Sequence, residues 1–229
     1  LIWKQMGDLM TFPESYNKRL ANSTTHKIGQ DMRGILDYNW NNCGFRSDVD
    51  YDPNETKAGC FFGNAFTSAI GIEWKNAYAS ITADRLKLKC YNFSQGCVPV
   101  DNTDIMNTAI HISKMKDFKP KFYFLQFTDL TRVFSAKNQK LTLESDVDKN
   151  VKVFVENFKR LEDALQDTKW LFIGCDGTTF HPLPDSITEH KNCVIWNPAF
   201  FDKILYGMPG EKWHYTISYG IIKKLNDEA

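Results

Sequence analysis

From Lys57 onward, two apolar rhythms alternate along the chain. Short, nearly continuous apolar runs give way to longer stretches in which apolar residues recur every three or four positions. The first rhythm marks strands covered on both faces, and the second marks amphipathic helices. Strands are predicted over Lys57–Phe62, Leu88–Phe93, Lys121–Phe127, Lys169–Gly174 and Cys193–Trp196. Helices are predicted over Trp74–Leu86, Asp101–Phe118, Asp146–Gln166 and Gly210–Leu225. Their inward stripes include Ile105, Ala109 and Ile112 in the second, Phe154, Phe158 and Leu161 in the third, and Trp213, Ile217 and Ile221 in the last. Asp101 or Thr103 is placed to cap the second helix. Five strand–helix units predict an α/β protein: a three-layer α/β/α sandwich on a five-stranded parallel sheet, flavodoxin-like in class, with right-handed crossovers.

Residues 1–56 show no clean period and are expected to form an N-terminal extension packed on a main domain of residues 57–229. Within it, Asp37–Arg46 is rich in aromatic residues and asparagine, which predicts an ordered loop with its rings against the domain. Asp8, in Met6-Gly-Asp-Leu9, reads as a turn residue, because Leu9 stands where a nucleophile turn needs a hydroxyl. Two long polar loops are expected, Asp129–Ser145 and Asp176–Lys191; loops of this length are often functional.

Composition narrows the function classes. The 229 residues carry 28 basic and 28 acidic side chains, so bulk charge supports neither a nucleic-acid partner nor a membrane surface. No apolar run approaches the roughly 20 residues of a membrane span. Leu1–Met6 lacks the basic-then-apolar pattern of a leader, and the expected location is cytoplasmic or virion-associated. Six cysteines occur without a CxxC pair, so no metal site is expected and the thiols are read as free, in a reducing compartment. The sequons at Asn22, Asn54 and Asn92 are read as chance. No Gly-rich phosphate loop is present, and no cofactor is expected.

The candidate chemistry lies where the first strand meets a glycine turn ahead of a helix, since such a turn presents a site at the carboxyl end of a parallel sheet. Here the turn carries Asn64 and Ala65, and neither can attack an ester. Four blocks resemble those of the SGNH (GDSL-type) hydrolases over roughly Lys57 to the end. They are Gly63-Asn-Ala-Phe-Thr67, Leu88–Gly96 with Asn92 and Gly96, Gln126-Phe-Thr-Asp129, and Leu205-Tyr-Gly-Met-Pro-Gly210 followed by Glu-Lys-Trp-His214.

The resemblance implies an esterase or acyl-hydrolase lineage acting on acylated carbohydrate or lipid-like esters. It puts the nucleophile position at Ala65, the orienting Asp at Leu205 and the base at Met208. Oxyanion donors would be the amides of Ala65 and Gly96, with the Thr128 hydroxyl in place of an Asn side chain. All three triad positions thus depart from the family, which implies little or no hydrolysis. Thr67 or Ser68 is a candidate displaced nucleophile and His214, with Asp202, a candidate base; all read more simply as structural. His181 and His190 read as surface residues, His111 as partly exposed, and Asp176-Gly177 as a turn.

Three functional readings follow. The first is a degenerate hydrolase. The second is a non-catalytic glycan- or ester-binding module, in a virion or on a surface, taking a small-molecule or carbohydrate ester. The third is an unrelated α/β transferase-like domain, for which Asp48-Val-Asp50 is a metal-binding candidate that lies outside the core strands.

Overall fold

The computed structural model describes residues 24–28, 35–94, 100–135, 140–143, 146–174, 183–194 and 209–227. Its centre is a five-stranded, all-parallel sheet built from β3 (Ala58–Phe62), β4 (Lys89–Asn92), β5 (Phe122–Gln126), β8 (Lys169–Ile173) and β9 (Cys193–Val194). The strand order is β4-β3-β5-β8-β9, and every neighbouring pair is parallel. The α/β class and the five parallel strands are those expected from the apolar runs.

Continuous apolar runs are needed because both sheet faces are covered, and the period-2 geometry of a strand sorts each run into two cores. In β5, Tyr123 and Leu125 join the core beneath α2 (Asn102–Ser113) and α3 (Val147–Leu165). Phe122 and Phe124 join the core beneath α1 (Tyr78–Arg85) and α5 (Glu211–Asp227). β3 divides the same way, with Cys60 and Phe62 on the first face and Phe61 on the second. Gly220 lets α5 lie close to the sheet, since a Cβ there would sit 3.0 Å from Val194 Cγ1.

Helix ends follow local chemistry. Asp101 caps α2, accepting from the amide of Asp104, whose carboxylate returns to the Asp101 amide. Asp146 caps α3 through the Lys149 amide. α1 ends in a Schellman turn: the Leu88 amide donates to Ala83 O at 2.8 Å and the Lys87 amide to Asp84 O at 3.0 Å. Lys87 takes the left-handed position of that turn, with φ 53°.

Several elements differ from the expectation. The helix expected from Trp74 begins as a 3-10 turn, Trp74–Asn76, and becomes α-helical only after Ala77, which is extended at ψ 138°. α2 stops at Ser113, five residues before the predicted end at Phe118. The loop expected over Asp129–Ser145 contains an antiparallel hairpin, β6 (Arg132–Ser135) with β7 (Lys140–Leu143). A short helix, α4 (Asp185–Thr188), lies within the other long loop. A second hairpin, β1 (Thr24–Ile28) with β2 (Ile35–Asn39), precedes the sheet.

The Asp37–Arg46 segment packs its rings inward. Phe45 and Tyr51 enter the α2/α3 core, with Phe45 edge-on to Phe93 at 5.4 Å and Tyr51 edge-on to Phe118 at 5.0 Å. Cys43, Cys60, Cys90 and Cys193 are buried free thiols, and burial pushes that of Cys43 up to about 11. Cys97 and Cys175 lie outside the described residues. No helix among the described residues is long and apolar enough to cross a membrane.

Candidate functional site

The order β4-β3-β5 makes the connections after β3 and β5 diverge. The chain leaves β3 for α1 on one face, while the chain after β5 leads to α3 on the other. In open α/β sheets ligands bind at such a switch point, outside the carboxyl ends of the strands. Asn64 and Ala65 stand on its β3 side and Thr128 on its β5 side.

The turn after β3 is tightly fixed. A Cβ on Gly63 would lie 2.1 Å from Thr67 Oγ1 and 3.0 Å from Gln126 Oε1, so only glycine fits. Asn64 Oδ1 accepts from the Phe66 amide at 2.8 Å, and the Ser68 amide donates to Asn64 O at 3.1 Å. Ala69 completes the turn in the left-handed region, with φ 54°. From Gly63 to Ala69 every residue is buried except Ala65, which is half-buried. The turn therefore offers outward only Ala65, whose side chain is a methyl group.

Neighbouring hydroxyls are committed elsewhere. Thr67, fully buried, pairs with the Tyr78 hydroxyl at 3.0 Å and donates to Gln126 Oε1 at 3.3 Å. Ser68, at 1% exposure, pairs with Ser94 Oγ at 2.6 Å. Ser94 in turn donates to Asn92 Oδ1, and Asn92 Nδ2 donates to Arg46 O at 2.9 Å. This relay ties the loops after β3 and β4 together.

His214 lies at 0% exposure in the first turns of α5. Its Nδ1 accepts from the Tyr78 amide at 3.1 Å, at the start of α1, where Ala77 supplies no side-chain cap. The imidazole thus caps a helix on another element. It stacks on Tyr78 at 6.0 Å, and its Nε2 has no partner among the described residues. Burial, with the Arg46 guanidinium adding to it, pushes its pKa down to about 3, which keeps Nδ1 free of a proton and able to accept. His214 connects to the turn through Tyr78 and Thr67, and through Trp213, which packs edge-on against both His214 and Phe66.

Thr128 is buried, and its backbone is clamped by Asn102. The Thr128 amide donates to Asn102 Oδ1 at 2.8 Å, and Asn102 Nδ2 returns to Thr128 O at 2.9 Å. Asn64 Nδ2 is a buried donor with no partner among the described residues. The Ala65 amide and Asn64 Nδ2 are thus donors on the β3 side, with the Thr128 hydroxyl across the switch point. Gly96, Leu205, Met208, Asp202, Asp8, Asp176 and His181 lie outside the described residues.

Two other histidines are fixed by neighbours. His190, expected at the surface, is half-buried. Its Nε2 lies 3.0 Å from Glu162 Oε1, its Nδ1 accepts from the Asn192 amide at 3.1 Å, and it packs against Trp170 at 5.5 Å. It borders a groove of about 500 Å³ at the amino end of β8, on the opposite edge of the sheet from the turn. His111 is half-buried, as expected, and burial lowers its pKa. No group of three or more His, Cys, Asp or Glu among the described residues is placed to hold a metal ion. Asp48 and Asp50 bond to Asn39 Nδ2 and the Asn42 amide, which gives them a role in loop structure.

The residue the sequence reading missed is Arg46. At 1% exposure it donates to Ser68 O at 2.9 Å, to Ala69 O, and to Ile72 O at 2.7 Å. Its guanidinium lies 4.0 Å from the centre of the Tyr38 ring, and the Tyr38 hydroxyl accepts from the Gly71 amide at 2.8 Å. The segment before the sheet therefore grips the turn that carries the candidate site. An arginine in an Asn-rich loop gives no sign of this in sequence.

No protein-family model matches this chain, and no curated protein matches it in sequence. Two solved structures are similar in fold. One is a carbohydrate esterase family 2 enzyme plus carbohydrate-binding domain from Corynascus thermopiles (Myceliophthora fergusii), with 11% identity, a TM-score of 0.48, and 78% of this chain and 69% of that chain covered. The other is a family two carbohydrate esterase from Clostridium thermocellum in complex with cellohexaose, with 12% identity, a TM-score of 0.47, and 79% of this chain and 66% of that chain covered. Likeness at this level bears on neither activity nor ligand.

Proposed function

We propose that this chain belongs to an esterase lineage and keeps the carboxyl-edge crevice to bind a carbohydrate ester, with little or no hydrolysis. The observation that carries the reading is the turn itself: Ala65 alone reaches outward, while Thr67 and Ser68 are buried and bonded to other side chains. Acyl transfer needs a hydroxyl with a base in hydrogen-bond reach. Among the described residues no such pair exists at the turn, since His214 Nδ1 is occupied by the Tyr78 amide. The Ala65 amide, on the one outward residue of the turn, is a donor for a carbonyl oxygen, which suits binding without attack. The SGNH-type resemblance supplies the ligand class.

Turnover of p-nitrophenyl acetate tests this. The protein and its Ala65→Ser variant are both expected to show no saturable hydrolysis. Ala65→Ser combined with Met208→His and Leu205→Asp is expected to gain it. Saturable hydrolysis by the unaltered protein that disappears on Ser68→Ala or His214→Asn would overturn the reading.

A further inference from the structure

Among the described residues the aromatic side chains are buried, with two exceptions. Tyr215 is 47% exposed and Tyr219 64%. They are four residues apart in α5, so they stand one above the other on a single face of the helix. That face is opposite the stripe of Trp213, Ile217 and Ile221, which enters the core. The outer face of α3 carries Lys152, Glu156, Lys159 and Asp163 instead. Neither tyrosine has a hydrogen bond or a ring contact with another described residue. Two rings held in water in this way add nothing to the packing of the fold, and adjacent exposed apolar groups mark a contact surface.

The pair lies toward the end of the molecule that carries the candidate site. α5 starts at the carboxyl edge, where Glu211 Oε1 accepts from Asn76 Nδ2 at 2.7 Å, and runs back until Leu225 borders the groove at the amino end of β8. Tyr215 is therefore about 6 Å along the helix axis from Glu211, and Tyr219 about 12 Å. Tyr215 lies close enough to Lys75, in the 3-10 turn that follows the candidate-site turn, for the two to interact electrostatically.

We infer that Tyr215 and Tyr219 form a stacking platform for an uncharged polysaccharide chain. The flat C–H face of a sugar ring packs on an aromatic face, both shed water, and the phenol hydroxyl remains free to bond a sugar hydroxyl. Two rings one helical turn apart offer this to neighbouring sugars of one chain. The choice of a carbohydrate rests on the ester-binding reading above; the platform needs no ester group. Other occupants fit less well. The exposed parts of the two rings amount to roughly 250 Å², against about 800 Å² that a stable protein partner takes from each side. The patch does not continue, because Lys212 and Lys223 flank it along the same face. Single-stranded nucleic acid needs a basic groove beside its stacking rings, and here Lys75 is held by Glu73 at 2.6 Å with Glu211 close by. A bilayer surface needs a broader apolar face than two rings.

Affinity electrophoresis and calorimetry with deacetylated glucomannan and hydroxyethylcellulose test the platform, with acetylated glucomannan, oligothymidylate and phosphatidylserine vesicles as further arms. The unaltered protein binds one or both uncharged polysaccharides, with little dependence on salt. Tyr215→Ala and Tyr219→Ala each weaken binding about tenfold and the double variant about a hundredfold, while Y215F/Y219F retains it. Both side chains are exposed and unbonded, so the urea midpoint stays unchanged and lost binding is not lost folding. The unacylated probes separate this inference from the proposed function. Binding to them that the Ala variants lose supports the platform even where acetylation makes no difference, a result that counts against the ester site alone. No binding to either uncharged polysaccharide, or unchanged affinity in Y215A/Y219A, overturns the inference. So does tighter binding to oligothymidylate or vesicles, or a dimer in sedimentation that the double variant dissolves.

Discussion

Single residues set the state of the crevice, and two of them allow direct tests. His214 is neutral in the folded protein because burial pushes its pKa down to about 3, against an ordinary value of 6.5. Once unfolded, it takes up a proton near its ordinary value. Its contribution is therefore complete above about pH 6.5 and is lost as pH falls toward about 3, by up to about 1.4 kcal/mol per pH unit. Urea denaturation across that range should show the slope, and His214→Asn, which keeps an acceptor for the Tyr78 amide, should lose this part of it.

Arg46 is the second case. Arg46→Met leaves the carbonyls of Ser68, Ala69 and Ile72 without their donor and is expected to cost about 3–5 kcal/mol in denaturant unfolding. Sequence marks an arginine as solvent-seeking, and only the fold brings three carbonyls around it. Ala65 and Gly63 were legible by contrast, because a strand running into a glycine turn is a local pattern.

Elements were legible in proportion to how much of their burial was local. The strands β3, β5 and β8 could be read because both faces are covered, which makes their sequences apolar throughout. The β6–β7 hairpin could not: Arg132-Val-Phe-Ser and Lys140-Leu-Thr-Leu are short, and polar residues surround them. The start of α1 was misread because its cap comes from His214, far along the chain, rather than from Ala77. The end of α1 yields a prediction. Lys87→Gly relieves the left-handed backbone of the Schellman turn and should raise stability by about 0.5–1 kcal/mol in thermal or urea unfolding.

At the scale of the whole molecule, residues before Lys57 are part of the core. Phe45 and Tyr51 pack against Phe93 and Phe118, and Arg46 holds the turn after β3. A chain beginning at Lys57 should therefore lack a cooperative unfolding transition by circular dichroism. The sheet also fixes a length. β3 runs from Lys57 to the turn at Gly63 and, at five residues, spans about 17 Å. The turn and the amino edge of the sheet are therefore too far apart for one small ester to touch both, and each edge meets solvent, and any ligand, on its own.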